Sequence, residues 1–105
     1  MEPISEPVLL ILLSLAQRPR HGYAMLGDVE AMSGGRVVLS TGTLYGALGR
    51  LLRQQWIERC AEDDTSRGKQ SYRLTAAGRK YLQLEVGRMK QLARLASARL
   101  AHEES

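Results

Sequence analysis

The stretch Ser40–Arg53, STGTLYGALGRLLR, gathers side chains that could engage a partner. Ser40, Thr41, Thr43 and Tyr45 bring hydroxyls, Arg50 and Arg53 bring guanidiniums, and no carboxylate interrupts them. Neutral donors followed by fixed positive charge suit the recognition of phosphates and hydrogen-bonding edges rather than the making of bonds. Catalysis would call for a nucleophile beside a base, a glycine loop cradling phosphate, or a metal cluster, and none is legible. His21 and His102 have no Cys or His nearby, so no metal site is expected. The acidic run Glu62–Asp64 lacks the spacing of a cation site and reads as a turn. Cys60, the single cysteine, reads as a partly buried strand residue. With no phenylalanine and one tryptophan, an aromatic-lined cofactor pocket within one chain is not expected either. The chain therefore reads as a binding protein without catalytic residues or cofactor, not as an enzyme.

The same stretch has helical spacing, yet it carries three glycines, each of which costs a helix interior roughly 1 kcal/mol relative to alanine. Taking Gly42 as the origin and advancing about 100° per residue, Gly46 falls near 40°, Gly49 near 340° and Arg53 near 20°. Leu44, Leu48, Leu51 and Leu52 fall between about 180° and 280°. The leucines thus form one face and the glycines a bare stripe opposite, flanked by Thr43, Tyr45 and Arg50. A bare stripe lets another surface approach the backbone closely. Close packing on a second helix is the plain reading of such a stripe, but bordering arginines would resist it, and they favour an anionic partner.

The elements that must position this helix follow from the rest of the chain. Ser5 caps a first helix with Pro7 in its first turn, and VLLILLSLA (Val8–Ala16) is apolar nearly all round, as a central helix is. That run is too short to span a bilayer and follows acidic residues, unlike a signal peptide. With a lone cysteine, this points to a reducing, cytoplasmic setting with no membrane partner. A second helix is expected over His21–Ser33, with Tyr23, Leu26, Val29 and Met32 at helical spacing and Gly34–Gly35 ending it. RVVL (Arg36–Leu39) reads as a short strand, and Ser40 caps the third helix, which runs to about Gln54. Trp56–Ala61 and Ser71–Thr75 read as two strands around the polar loop Glu62–Gln70, with Trp56 packed at their root.

A last helix, capped by Thr75, is expected from Ala76 to about His102, longer than so small a domain requires. Its apolar stripe (Leu82, Val86, Met89, Leu92, Ala93, Ala96 and Leu100) continues past any local core and is expected to meet a second chain. The order helix, helix, short strand, helix, strand, loop, strand, long helix predicts a mostly α winged helix-turn-helix with a small β-hairpin and a long C-terminal dimerisation helix. Residues 1–75 would form the DNA-binding domain and 76–105 the dimerisation helix. The third helix would lie in the major groove, and Arg67 and Lys69 at the wing tip would reach phosphate or the minor groove. The net charge of +4 permits such a polyanionic partner.

HGYAML, LSTGTLYGALGRL, WIER and YRLTAAGRKYL together resemble the PadR family of bacterial transcriptional regulators, from about Val8 to Leu82. The last helix is similar to that of the shorter members in length and position. The resemblance implies a homodimer joined through that helix, with two winged-helix heads on a palindromic operator in double-stranded DNA. It also implies that Tyr23, Thr43 and Tyr45 occupy positions at or near the DNA face. Members are typically repressors, and several are released by small aromatic molecules. Two positions depart from the family pattern: Thr41 stands where proline is frequent, and Gln55 where glycine usually forms a left-handed helix cap. The expected function is a repressor that occupies a promoter and is relieved by a small-molecule effector. The rival reading is a dimeric winged-helix module that recruits a protein partner without reading DNA.

Overall fold

The computed structural model describes residues 4–60 and 70–104. Seven elements follow in chain order: α1 (Glu6–Gln17), β1 (Arg20–His21), α2 (Gly22–Met32), α3 (Thr41–Arg53), β2 (Ile57–Arg59), β3 (Ser71–Leu74) and α4 (Ala76–Glu104). Helix α1 starts where Ser5 accepts the Val8 N–H at 3.4 Å. It buries Leu10, Ile11, Leu12 and Leu15. Around it lie Met25 and Val29 of α2, Leu44, Ala47, Leu48 and Leu51 of α3, Ile57, Tyr72 and Leu82, forming one core.

Helix α1 has no basic residue in its last turn, although its terminal carbonyls need donors. Two arginines supply them from elsewhere. Arg20 Nε donates to the Ser14 carbonyl at 2.7 Å and also pairs with Asp28 of α2 at 3.5 Å. Arg79 of α4 donates to the Ala16 carbonyl at 2.9 Å. At the other end, Arg36 pairs with Glu6 and holds its carboxyl below the ordinary carboxylate range.

The sheet departs from the sequence expectation. The segment Arg36–Leu39 forms no strand. Val37 N–H donates to the Ser33 hydroxyl at 2.9 Å, and Val37 and Leu39 pack on the core, so this segment is the turn between α2 and α3. The third strand is instead β1, which pairs antiparallel with β3 (Arg20 opposite Tyr72), while β2 pairs with the other edge of β3, in the order β1-β3-β2. Helix α2 also turns differently from its expected apolar spacing: Gly22, Met25 and Val29 are buried, whereas Tyr23 and Met32 are exposed.

Helix α3 ends in a Schellman cap. Gln55 N–H donates to the Leu52 carbonyl and Trp56 N–H to the Leu51 carbonyl, both at 3.1 Å. Gln55 takes the left-handed conformation, φ 63°, that the cap demands, at a cost of about 1 kcal/mol for a residue with a Cβ. The departure from glycine therefore leaves the cap geometry intact. Thr75 then joins this cap to α4. Its hydroxyl donates to the Gln55 carbonyl at 2.7 Å and accepts the Gly78 N–H at 2.9 Å, and its N–H donates to the Trp56 carbonyl at 3.1 Å. A Cβ on Gly78 would fall on the Trp56 carbonyl oxygen. Trp56 is half-buried at the root of the wing, as expected, and its ring stacks on Tyr81 at 4.5 Å.

Helix α4 is 29 residues long, about 43 Å. Its side chains from Lys90 to His102 are all exposed. No helix of the described residues is long and apolar enough to cross a membrane.

Since backbone cannot move aside as a side-chain tip can, Gly78→Ala is expected to lower unfolding stability by about 2 kcal/mol. A urea titration reads this as a lower midpoint.

Candidate nucleic-acid interface

The turn after α2 closes on Gly34 and Gly35, both at positive φ, and delivers the chain to Ser40, the N-cap of α3. Ser40 Oγ accepts the Thr43 N–H at 3.1 Å and donates its proton to Thr43 Oγ1 at 2.9 Å. The cap thus consumes the Ser40 proton and leaves the Thr43 hydroxyl proton for an outside acceptor. The first N–H groups of a helix have no partner within it, so those of Thr41 and Gly42 point the same way, where the helix dipole favours an anion. Ser40, Thr41 and Thr43 are all exposed.

The glycine stripe faces open space. Nothing lies within 4 Å of a Cβ added to Gly42. At Gly46 the only neighbour is Arg50 Nη1 at 4.0 Å, and at Gly49 it is Arg53 Nη1 at 3.5 Å. No helix among the described residues packs there. Each arginine instead folds back along the groove left by the glycine four residues before it. Both are exposed. The ion pairs among the described residues are Arg20–Asp28, Arg36–Glu6, Arg73–Glu58 and Arg88–Glu85, so neither Arg50 nor Arg53 is neutralised by a carboxylate. Two guanidiniums therefore reach back beside bare glycine positions, along a helix with no acidic residue. Arginines in a last turn also complement the helix dipole, but that role needs no glycines beneath them.

Tyr45 does not stand free beside the stripe. It is half-buried against the core, over Gly22, where a Cβ would overlap the phenol oxygen. Burial pushes the Tyr45 hydroxyl above its ordinary value, with the Tyr72 and Tyr23 phenols adding to the shift. Tyr45 thus remains a neutral hydroxyl and sets the spacing between α3 and the start of α2. Tyr23, at 64% exposure, lies next along that edge. Gly22 was not singled out in the sequence, because its role depends on a ring from another helix. Arg67 and Lys69 lie outside the described residues, as does the run Glu62–Asp64. The wing root is described: His21 Nδ1 meets Ser71 Oγ at 3.1 Å, and Arg73 pairs with Glu58 at 3.1 Å.

The stripe on α4 divides in two. Leu82 is buried in the chain's own core, and Val86 packs partly against it. Leu82 is therefore not free for a second chain, because α4 lies across α1 at this point. Met89 is half-buried, whereas Leu92, Ala93, Ala96 and Leu100 are exposed, with Leu84 and Leu95 exposed beyond the expected stripe. A cleft of about 260 Å³ opens between α1, α3 and α4. Ser5 and Val8 line one side of it, Arg50 and Gln54 another, and Trp56 and Tyr81 a third. Among the described residues, no three His, Cys, Asp or Glu side chains gather to hold a metal.

The model of the transcriptional regulator PadR-like family matches residues 11–84, which span the core, the turn and α3. The chain belongs to this family. Its members are transcriptional regulators, not enzymes. The chain is 41% identical over 85 residues to an uncharacterized 37.1 kDa protein in transposon TN4556 of Streptomyces fradiae, a match covering 81% of the chain but 23% of that protein. Solved PadR-type structures share the fold. A PadR family regulator from Clostridium difficile R20291 superposes with a TM-score of 0.74 at 21% identity, covering 91% of this chain and 99% of that one. A transcriptional regulator from Clostridium thermocellum gives 0.74 at 21% identity, covering 88% and 87%. Bacillus subtilis PadR in complex with operator DNA gives 0.65 at 20% identity, covering 78% of this chain and 46% of that one. The winged-helix architecture with a C-terminal helix is thus common to the PadR-like chains.

Because a methyl group on Gly46 would enter open space, Gly46→Ala is expected to stabilise the protein by about 0.5–1 kcal/mol through helix propensity. A higher urea midpoint at unchanged slope would show it, and a lower midpoint would mean that the stripe is packed.

Proposed function

We propose that this PadR-family chain is a homodimeric repressor that reads a palindromic operator with α3. The observation that carries this reading is the open stripe of Gly42, Gly46 and Gly49, beside which Arg50 and Arg53 lie without carboxylate partners among the described residues. Their charge serves phosphate contact, and the bare backbone lets α3 sink into the major groove. Ser40, Thr41 and Thr43 present the first turn of α3 to a phosphate or base edge, with Tyr23 beside them. Arg67 and Lys69 extend the surface along the wing. Bacillus subtilis PadR, whose fold is shared, has been captured on operator DNA, which supports the reading.

Residues 1–75 are assigned to DNA and 76–105 to dimerisation. The supporting feature is the exposed outboard half of α4, with Leu92, Ala93, Ala96 and Leu100 beyond the half-buried Val86 and Met89. Two α3 helices held about 34 Å apart would meet successive major grooves of a cytoplasmic operator. Repression follows from occupancy of the promoter. Release follows when a small aromatic effector, seated near the dimer interface, changes that separation. The cleft walled by Trp56 and Tyr81, which touches α1, α3 and α4 together, supports such a site.

The deciding experiment is fluorescence anisotropy on DNA upstream of the protein's own gene, beside scrambled DNA, at two salt concentrations. Tight binding to the native sequence alone, weakening with salt, is expected. Binding to a protein partner that salt leaves unchanged, with none to DNA, would establish the interaction-module reading instead. Arg53→Ala is expected to weaken binding on all sequences and to reduce the salt slope by about 1, as loss of one phosphate contact does. Thr43→Ala is expected to lower affinity for the native sequence without unfolding the chain. If neither variant changes binding, α3 is not the reading helix. Leu92→Asp is expected to convert dimer to monomer in sedimentation, and a persisting dimer would place the interface elsewhere.

A further inference from the structure

The junction between α3 and α4 is more heavily constrained than either helix end requires. One residue, Thr75, caps α4 and at the same time reaches back to the residue that ends α3. Its hydroxyl donates to the carbonyl of Gln55, the left-handed residue that ends α3, and accepts the N–H of Gly78 in the first turn of α4. Its own N–H holds the Trp56 carbonyl. Gly78 lies directly on that same carbonyl, with no room for a Cβ, and the Trp56 ring stacks on Tyr81 one turn further along α4. The peptide units that end α3 are thereby fastened to the first two turns of α4. A helix N-cap needs only one hydroxyl acceptor, and a Schellman cap needs no side chain from elsewhere. The second use of the Thr75 hydroxyl serves neither cap by itself.

We infer that Thr75 is a positioning residue that locks α3 to α4 at a fixed angle, so that the arrangement of two α4 helices dictates the spacing of two α3 helices on DNA. This rests on the proposed reading of α3 as the recognition helix of a dimer. Two heads joined rigidly engage both half-sites only at one separation. Heads joined loosely engage over a range of separations, at lower effective concentration for the best one.

The test compares Thr75→Val, which keeps the shape and loses the hydroxyl, with Thr75→Ser, which restores it. Backbone amide exchange is read first, without DNA. In Thr75→Val, exchange is expected to rise at least tenfold at Gly78 and also across Gln54–Trp56, while amides within α1 are unchanged and Thr75→Ser matches the parent. Acceleration at Gly78 alone would show an ordinary N-cap and overturn the inference. Binding is read second, on operators whose half-sites are moved by one base pair in either direction and on a single half-site. Thr75→Val is expected to lose at least tenfold on the native spacing, to bind the shifted operators within threefold of that level, and to match the parent on the single half-site. Equal loss on every DNA, the single half-site included, would mark a merely structural residue and overturn the inference. A parent protein that binds no DNA, but shows the coupled exchange, would refute the regulator reading while upholding the lock between the helices.

Discussion

Everything in this fold is arranged around a helix that cannot satisfy itself. Helix α1 is apolar on nearly every side and has no basic residue to complete its C-terminal carbonyls. Its burial draws in α2, α3 and the sheet, and its last turn is completed by guanidiniums from β1 and α4. Removing Arg20 would leave the part-buried Ser14 carbonyl without this donor, the costly side of hydrogen-bond energetics, whereas the Arg79 bond is exposed and water can replace it. Arg20 shows how economical the solution is: one side chain binds the end of α1, pairs with Asp28 of α2 and belongs to the strand that pairs with β3.

On this base the chain separates what must be rigid from what must be open. The leucine face of α3 is locked into the core, and Tyr45 over Gly22 fixes its distance from α2. The opposite face carries almost no side chain except two arginines folded over glycine. Three glycines weaken the helix locally, but tertiary packing of Leu44, Leu48 and Leu51 holds it in place. The loss in intrinsic propensity is therefore confined to the open face, which is the face proposed to meet DNA.

Much of this was legible in the amino-acid order. The four helices, the caps at Ser5 and Ser40, the division of α3 into leucine and glycine faces, and the hairpin flanking the polar loop follow from periodicity and turn chemistry, which are local. Two features were not legible for the same reason. The strand Arg20–His21 is two residues long and carries no alternation. It is defined by its pairing with β3, and the Arg20 guanidinium holds it to α1 and α2. Conversely, RVVL has strand composition, yet Ser33 captures Val37 and the chain turns. The clashes that demand glycine at positions 22 and 78 involve residues 23 and 22 positions away, beyond any local window. The same is true of Leu82, whose place on an apolar stripe does not say which body covers it.

The free half of α4 has a thermodynamic consequence. From Lys90 to His102 every side chain of the helix is exposed, so the order of this half rests mainly on propagation from the packed half, which gains little per residue. If a second copy docks there as proposed, the helicity of this half becomes a mass-action quantity, set by the concentration of that copy as well as by the chain itself. Under that proposal these turns would fray when the chain is dilute, and the exposed leucines would then become accessible to proteases. Turnover would then fall most heavily on copies that have found no companion, and the amount of assembled protein would rise more steeply than the rate of its synthesis.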